Sequence, residues 1–357
     1  MTFPQNLRDL NAVVTGANGF IGQRLVSLLL QNGAKPTVIL RSSYGKSAWE
    51  KRGVGVVTGG FDNEEGLTDV LSGADVLFNF AYDVRASKAD NLASFEKLLG
   101  VSQRADIARI VHASSIVVYD DWPSGYLSER SSISTSSGGS YRQAKIEMER
   151  KLEASGQSCA ILQPTLVYGP GSALWTNSLI KGFQSGSVIL PKDLGVCPAV
   201  YVDDVVQAAL RAAVTPDLMC ERFIVSGETS VAWRDYYEAH QSLAGTGEIS
   251  YRATEDLWNR LGPDQRDQSS DTQAPSLAAR VSAFGRAKIG SKNFEKIVEL
   301  AGQIKPSGSE HFPDRSMMEL LTSKGSCDIG KAADMLGYHP EFDLEQGRDA
   351  IKASLSR

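Results

Sequence analysis

Thr15-Gly16-Ala17-Asn18-Gly19-Phe20-Ile21-Gly22 decides how the rest of the chain is read. It follows a short β-branched run, Ala12-Val13-Val14, and precedes a stretch carrying Leu25, Val26, Leu28, Leu29 and Leu30 at helical spacing. It therefore joins a strand to a helix that begins near Phe20. In that setting the glycines permit a tight turn, close approach of the backbone to a pyrophosphate, and close packing of helix on strand. The helix start adds free N–H groups and the positive end of a dipole. The turn predicts a dinucleotide site lined by Gly16, Asn18, Gly19, Phe20, Ile21 and Gly22.

Outward from this turn, short apolar runs alternate with helical patterns up to about residue 165. The runs are Thr37–Leu40, Val54–Val57, Val76–Phe78, Ile110–His112 and Cys159–Leu162. Strands separated by crossover-length stretches pair in parallel, and runs without polar alternation fit strands covered on both faces. The expected fold is α/β, a doubly wound parallel Rossmann sheet with a smaller, mostly C-terminal substrate domain. Regularity fades after Pro164 and returns at Ala199–Val202, Val205–Ala213 and Phe223–Val225. The expected division is 1–170 with 196–227 for the NAD(P)-binding domain, and 171–195 with 228–357 for the substrate-binding domain. Pro263 to Pro275 is polar and reads as a loop.

Composition removes several function classes. Of 357 residues, 42% are hydrophobic and 22% charged, which excludes a fibre or a disordered chain. The net charge of −5 and the lack of a basic cluster argue against a nucleic-acid partner. No stretch approaches the roughly 20 apolar residues of a membrane span, and the first ten residues are too polar for a signal-peptide core. A cytoplasmic protein is expected, with Cys159, Cys197, Cys220 and Cys327 as reduced thiols. The four histidines form no catalytic or metal set, and no metal is expected.

Tyr141-Arg142-Gln143-Ala144-Lys145 sets a phenol and an ammonium four residues apart on one helix face. An unperturbed phenol has a pKa near ~10, and a neighbouring ammonium stabilises its anion. Such a pair can pass a proton to or from a substrate oxygen while hydride moves at the adjacent carbon.

The glycine turn, read as TGxxGFIG, resembles the extended short-chain dehydrogenase/reductases, a family with epimerase and dehydratase members. Ser114-Ser115-Ile116-Val117-Val118-Tyr119 is similar to that family's SSxxVYG, and Gln163-Pro164-Thr165-Leu166-Val167-Tyr168-Gly169-Pro170-Gly171 to its RPxxVYGPG. Asp120 stands in place of the usual Gly and Gln163 in place of the usual Arg. Val202-Asp203-Asp204-Val205 resembles VDDVA, and Asp328 to Pro340 resembles the family's ending. The resemblance implies a catalytic set of Ser115, Tyr141 and Lys145, with Ser114 as the alternative hydroxyl and a further cofactor contact. It implies cofactor contacts from Phe61 and Asp62, from Phe80, Ala81 and Tyr82, from Lys145, and from Pro164 beside the nicotinamide. Gly60 occupies the position where the family commonly has an Asp. Asn91 matches the helix Asn that steadies the central strands. A small-molecule substrate and a homodimer follow from the same resemblance, whereas Asp203 and Asp204 read as helix caps rather than ligands.

The second strand ends Ile39-Leu40-Arg41-Ser42. A carboxylate there would repel a 2′-phosphate, whereas Arg41 attracts one, so Arg41 and Ser42 favour NADP over NAD. Nucleotide-sugar dehydratases of the family carry Thr-Asp-Glu where this chain has Ser115-Ile116-Val117, which removes elimination chemistry. The expectation is a NADP-dependent reductase or dehydrogenase acting on a secondary alcohol or ketone, with a nucleotide-activated sugar as the candidate substrate. Arg252, Arg260, Arg280 and Arg286 are the candidate phosphate contacts, and Trp175 and Asn177 the candidate cleft residues. The alternatives are a nucleotide-sugar epimerase that retains NAD, and a non-enzymatic dinucleotide-binding sensor.

Overall fold

The computed structural model describes residues 7–135, 137–263 and 308–356. Arg280, Arg286 and nearly all of the 263–275 stretch lie outside them. The first half runs β1 (Asn11–Thr15), α1 (Phe20–Gln31), β2 (Lys35–Leu40), α2 (Lys46–Glu50), β3 (Gly55–Thr58), α3 (Glu64–Ser72), β4 (Val76–Asn79), α4 (Lys88–Arg104), β5 (Ile110–Ala113), β6 (Tyr126–Leu127), α5 (Ser140–Ser155) and β7 (Cys159–Pro164). There follow β8 (Leu166–Tyr168), α6 (Ser178–Ser185), β9 (Gly186–Pro191), β10 (Val196–Cys197), β11 (Ala199–Tyr201), α7 (Val202–Val214) and β12 (Cys220–Val225). The remainder holds β13 (Val231–Ala232), α8 (Trp233–Ala244), β14 (Glu248–Arg252), α9 (Thr254–Leu261), β15 (Ser309–His311), α10 (Arg315–Leu321), β16 (Ser326–Cys327), α11 (Gly330–Leu336) and α12 (Leu344–Leu355).

Seven parallel strands form the main sheet in the order β12-β7-β5-β4-β1-β2-β3. Successive residues of a strand point to opposite faces. Val14, Phe78 and Val111 pack with Leu25, Val26 and Leu210 of α1 and α7. Val13, Leu77 and Ile110 pack with Leu67, Leu98 and Met148 of α3, α4 and α5. Both faces are covered, which is why these strands read as unbroken apolar runs. Chain order reverses between β1 and β4, so a crevice opens at their carboxyl ends, where open α/β sheets bind ligands.

β12 returns to this sheet, but Ala199–Tyr201 does not; it pairs with β8 in a separate two-stranded ladder. A third core gathers Phe183, Leu190, Trp233, Tyr236, Tyr237 and Leu321 around the β14-β9-β15 sheet. The four thiols expected to be reduced are not all free. Cys159 and Cys220 are direct partners across β7 and β12, with Cα atoms 4.3 Å apart, and are joined as a disulfide. Cys197 and Cys327 are free. Spacing in the chain could not reveal this pair, because register brings together residues 61 apart.

Candidate active site

The glycine turn is built by steric exclusion. Gly16 has φ +73°, and a Cβ there would lie 2.5 Å from the carbonyl carbon and oxygen of Phe80. A Cβ on Gly22 would lie 2.2 Å from the Gly16 carbonyl oxygen. Gly19 N–H closes the turn on that same oxygen at 2.9 Å. No side chain caps the start of α1, so its first N–H groups remain open to an anion. A cleft of about 360 Å³ opens here between Asn18, Phe20, Arg24 and Gly171. Beneath the turn, the Thr15 hydroxyl donates to Asn79 Oδ1 (2.8 Å) and accepts from Ala81 N–H (3.2 Å), and Asn79 Nδ2 meets His112 Nδ1 (3.0 Å). Burial holds the His112 imidazole well below its usual pKa, with Lys145 pushing the same way; it is a packed, neutral residue of the sheet. The Asn18 side chain accepts from Trp49 Nε1 (2.9 Å) and donates to the Tyr44 carbonyl (3.3 Å), tying the turn to α2.

At the adenosine end, Arg41 follows β2, is largely exposed, and forms an ion pair with Asp83. The Ser42 hydroxyl accepts from Tyr44 N–H (3.3 Å). Gly60 adopts φ +61° with its Cα edge against Arg41, a left-handed conformation that disfavours the Asp of the family pattern. Phe61 packs against the helix-side core, and the exposed Asp62 carboxylate pairs with Lys97.

The helix α5 presents Tyr141, Lys145 and Glu149 at four-residue intervals on one face. Lys145 is buried, and its ammonium donates to the Ala113 carbonyl at the end of β5 (2.7 Å). The same nitrogen lies 4.8 Å from the centre of the Tyr82 ring and 5.9 Å from that of Tyr141. Tyr82 and Tyr141 meet edge to face at 5.0 Å. Burial pulls the Lys145 pKa down to about 8, and Glu149 opposes it. Ser115 lies beside the Tyr141 phenol and acts to lower its pKa. The phenol is not lowered, as a neighbouring ammonium alone would dictate. Desolvation raises it, although 39% of the residue stays exposed, and Ser115 only partly offsets that. The ammonium is engaged with the Ala113 carbonyl and lies near two rings, and in the resting site it does not offset the desolvation of the phenol.

Ser114, the alternative hydroxyl, is buried and donates a hydrogen bond to Glu149. Of the two, Ser115 is the one that acts on the Tyr141 phenol. Glu149 also accepts from Gln163 Nε2 (3.0 Å) and pairs with Arg222 of β12 at 2.9 Å, while Tyr119 donates to Gln163 Oε1 (2.6 Å). Gln163 thus links Tyr119 to Glu149, and the positive charge comes from Arg222. Pro164, next in β7, is buried. Asp120 has an equally local explanation. It accepts from Ser134 N–H (2.9 Å) and pairs with Arg142, whose guanidinium also donates to the carbonyls of Val117 (2.9 Å), Val118 (2.8 Å) and Ser137 (2.6 Å). Arg142 therefore locks the serine-rich loop onto the wall beside Tyr141. Glu149 was findable as the next residue on the Tyr141–Lys145 face; Arg222 carried no local signal.

Three expectations are corrected. Asn91 does not steady central strands; it closes the 83–87 turn, accepting from Asp83 N–H (2.9 Å) and donating to the carbonyls of Asp83 (2.9 Å) and Ser87 (3.0 Å). Asp203 and Asp204 lie in the first turn of α7 but do not cap it. Asp203 pairs with Arg24 of α1, and Asp204 accepts from the N–H groups of Glu341 (2.8 Å) and Phe342 (3.3 Å). Of the arginines suggested for phosphates, Arg252 pairs with Glu310 (3.1 Å) and Arg260 stacks on Phe312 (3.8 Å). Trp175 packs 6.2 Å from Trp233, with its carbonyl held by the Tyr236 hydroxyl (2.6 Å). Among the described residues, no cluster of three or more His, Cys, Asp or Glu converges, and no helix is long and apolar enough to cross a membrane.

A glycine turn at the reversal point of a parallel sheet defines a dinucleotide-binding protein of the Rossmann class. The sequence profile of the NAD dependent epimerase/dehydratase family matches residues 12–224. The chain belongs to that family and is an NAD(P)-dependent enzyme of the oxidoreductase or epimerase kind. It is 31% identical to the ceramide reductase of Caulobacter vibrioides over 160 residues, covering 44% of this chain and 46% of that protein. It is 24% identical to a 4-hydroxy-2-methyl-3-oxo-4-farnesyl-3,4-dihydroquinoline-1-oxide ketoreductase of Stigmatella aurantiaca, covering 78% of this chain and 87% of the other. Its fold matches the epimerase Mth375 of Methanothermobacter thermautotrophicus with a TM-score of 0.69 at 16% identity, covering 99% of this chain and 94% of that one.

Proposed function

We propose that the protein is a NADP-dependent reductase or dehydrogenase that interconverts a ketone and a secondary alcohol through Ser115, Tyr141 and Lys145. The observation that carries this reading is the Tyr141 phenol set beside Ser115 and beside a lysine anchored on the end of β5. A phenol that burial keeps protonated near neutral pH is suited to donate a proton to a carbonyl oxygen, which is the reductive direction. Ser115 would hold that oxygen as charge develops on it. The bound nicotinamide supplies the hydride. The open start of α1 and the turn that excludes side chains at Gly16 and Gly22 fit its pyrophosphate, and Arg41 fits the 2′-phosphate of NADP. In this reading the NAD(P)-binding domain is 1–170 with 196–227 and the substrate-binding domain 171–195 with 228–357. The ketoreductase name of the Stigmatella aurantiaca relative favours a ketone, and the assay decides between a nucleotide-activated sugar and a more apolar molecule. A cytoplasmic homodimer completes the reading.

The test is NADPH oxidation by the purified protein against a panel of ketones and nucleotide sugars. Tyr141→Phe is expected to lower kcat by about 10²–10⁴-fold, the usual worth of a positioned acid. Turnover equal to the parent's would remove Tyr141 from the reaction, and a parent that binds the cofactor but oxidises NADPH with no member of the panel would move the assignment to a non-enzymatic sensor. The likeness to an epimerase supports a second reading, and tightly retained NAD with no net redox change would establish it.

A further inference from the structure

The Arg41–Asp83 ion pair has a particular place in the sheet. Arg41 leaves the carboxyl end of β2, Asp83 follows the carboxyl end of β4, and β1 lies between those strands. The pair therefore spans the end of β1, where the glycine turn emerges and the adenosine half of a dinucleotide must lie. Its two members are not equally free. Asn91 grips the Asp83 backbone on both sides, and Asp83 Oδ1 accepts from Arg85 N–H (3.0 Å). Partial burial opposes ionisation of this carboxyl, but Arg85 and Arg41 together hold it below the usual carboxylate range. The Arg41 side chain is 81% exposed and turns about flexible bonds. The fixed partner is the acid, and the movable one is the base.

We propose that Asp83 is a specificity-determining residue for the cofactor: it competes with the 2′-phosphate for Arg41 and so sets how strongly NADP is preferred over NAD. The inference rests on the reading of Arg41 as the 2′-phosphate contact. A neutral 2′-hydroxyl is too weak an acceptor to take a guanidinium from a carboxylate, so NAD leaves the pair in place. A phosphate makes an equivalent charge-assisted pair, so NADP exchanges one anion for another and forfeits whatever the Asp83 pair contributed. Removing the competing charge then favours NADP alone.

The experiment is titration of the full chain with NADPH and NADH by calorimetry, for the parent, Asp83→Asn and Arg41→Ala. Asparagine keeps the shape and the acceptor for Arg85. An exposed pair of this kind corresponds to about a two- to fivefold gain in NADPH affinity for Asp83→Asn, with NADH unchanged. Arg41→Ala is expected to lose the NADPH preference. An equal gain for both cofactors, no gain, or weaker NADPH binding in Asp83→Asn overturns the role given to Asp83 while leaving NADP in place. An Arg41→Ala variant that keeps the parent's preference overturns the cofactor reading itself, and this inference with it.

Discussion

Glu149→Gln tests whether the buried carboxylate beside Lys145 sets the working pH of the site. The Lys145 pKa of about 8 is the balance of burial, which lowers it, and Glu149, which raises it. Residues four apart on a helix lie about 6 Å apart, and at an effective dielectric of about 20 two unit charges there interact by about 2.8 kcal/mol. At 1.36 kcal/mol per unit this is about 2 pKa units, and sharing of the Glu149 charge with Arg222 cuts it to about one. The neutral glutamine removes that support, so Lys145 loses its proton at roughly pH 7. Reduction needs the ammonium to stabilise the phenolate that Tyr141 becomes, so activity falls as pH rises through the Lys145 pKa. The alkaline limb of kcat/KM for ketone reduction should move down by about one unit, with about a fivefold loss at pH 8 and almost none at pH 6. Thermal unfolding of the variant separates this from loss of structure, since Arg222 is left with Glu153 as its ion-pair partner. A limb that stays in place, or moves up, in a folded variant would refute the argument.

Other perturbations follow from the same geometry. Gly16→Ala places a Cβ 2.5 Å from a backbone carbonyl at φ +73° and should cost at least about 1–3 kcal/mol with loss of NADPH binding; unchanged binding by fluorescence titration contradicts it. Arg142→Lys keeps the charge but not the fork that reaches three carbonyls, and should lower unfolding stability by about 2–3 kcal/mol in urea, where equal midpoints would count against the clamp. The Asp204 pKa is pushed up to about 7 by burial, against two N–H donors that pull it down. A raised carboxyl pKa contributes stability that is lost as pH rises through the folded value. The parent should therefore gain on Asp204→Asn by up to about 1.4 kcal/mol per pH unit below 7, in paired denaturant titrations. A constant gap between pH 8 and 6 would rule this out.

What the chain announces by itself is what neighbours in sequence decide. The glycine turn between β1 and α1 is legible because strand, turn and helix are contiguous, and sterics at Gly16 and Gly22 leave few alternatives. Tyr141 and Lys145 are legible because helical spacing alone sets them on one face, and the apolar runs announce a sheet covered on both sides. Folding decides how each charge is spent. Arg41 meets Asp83 across 42 residues, Asp204 meets Glu341 across 137, and Glu149 of α5 depends on Arg222 of β12. The ammonium of Lys145 turns to the Ala113 carbonyl, leaving the phenol raised by burial. Local periodicity specifies which residues share a face, but desolvation and ion pairing depend on what packs against that face. In this fold those partners come from segments far apart in the chain that only the tertiary arrangement brings together.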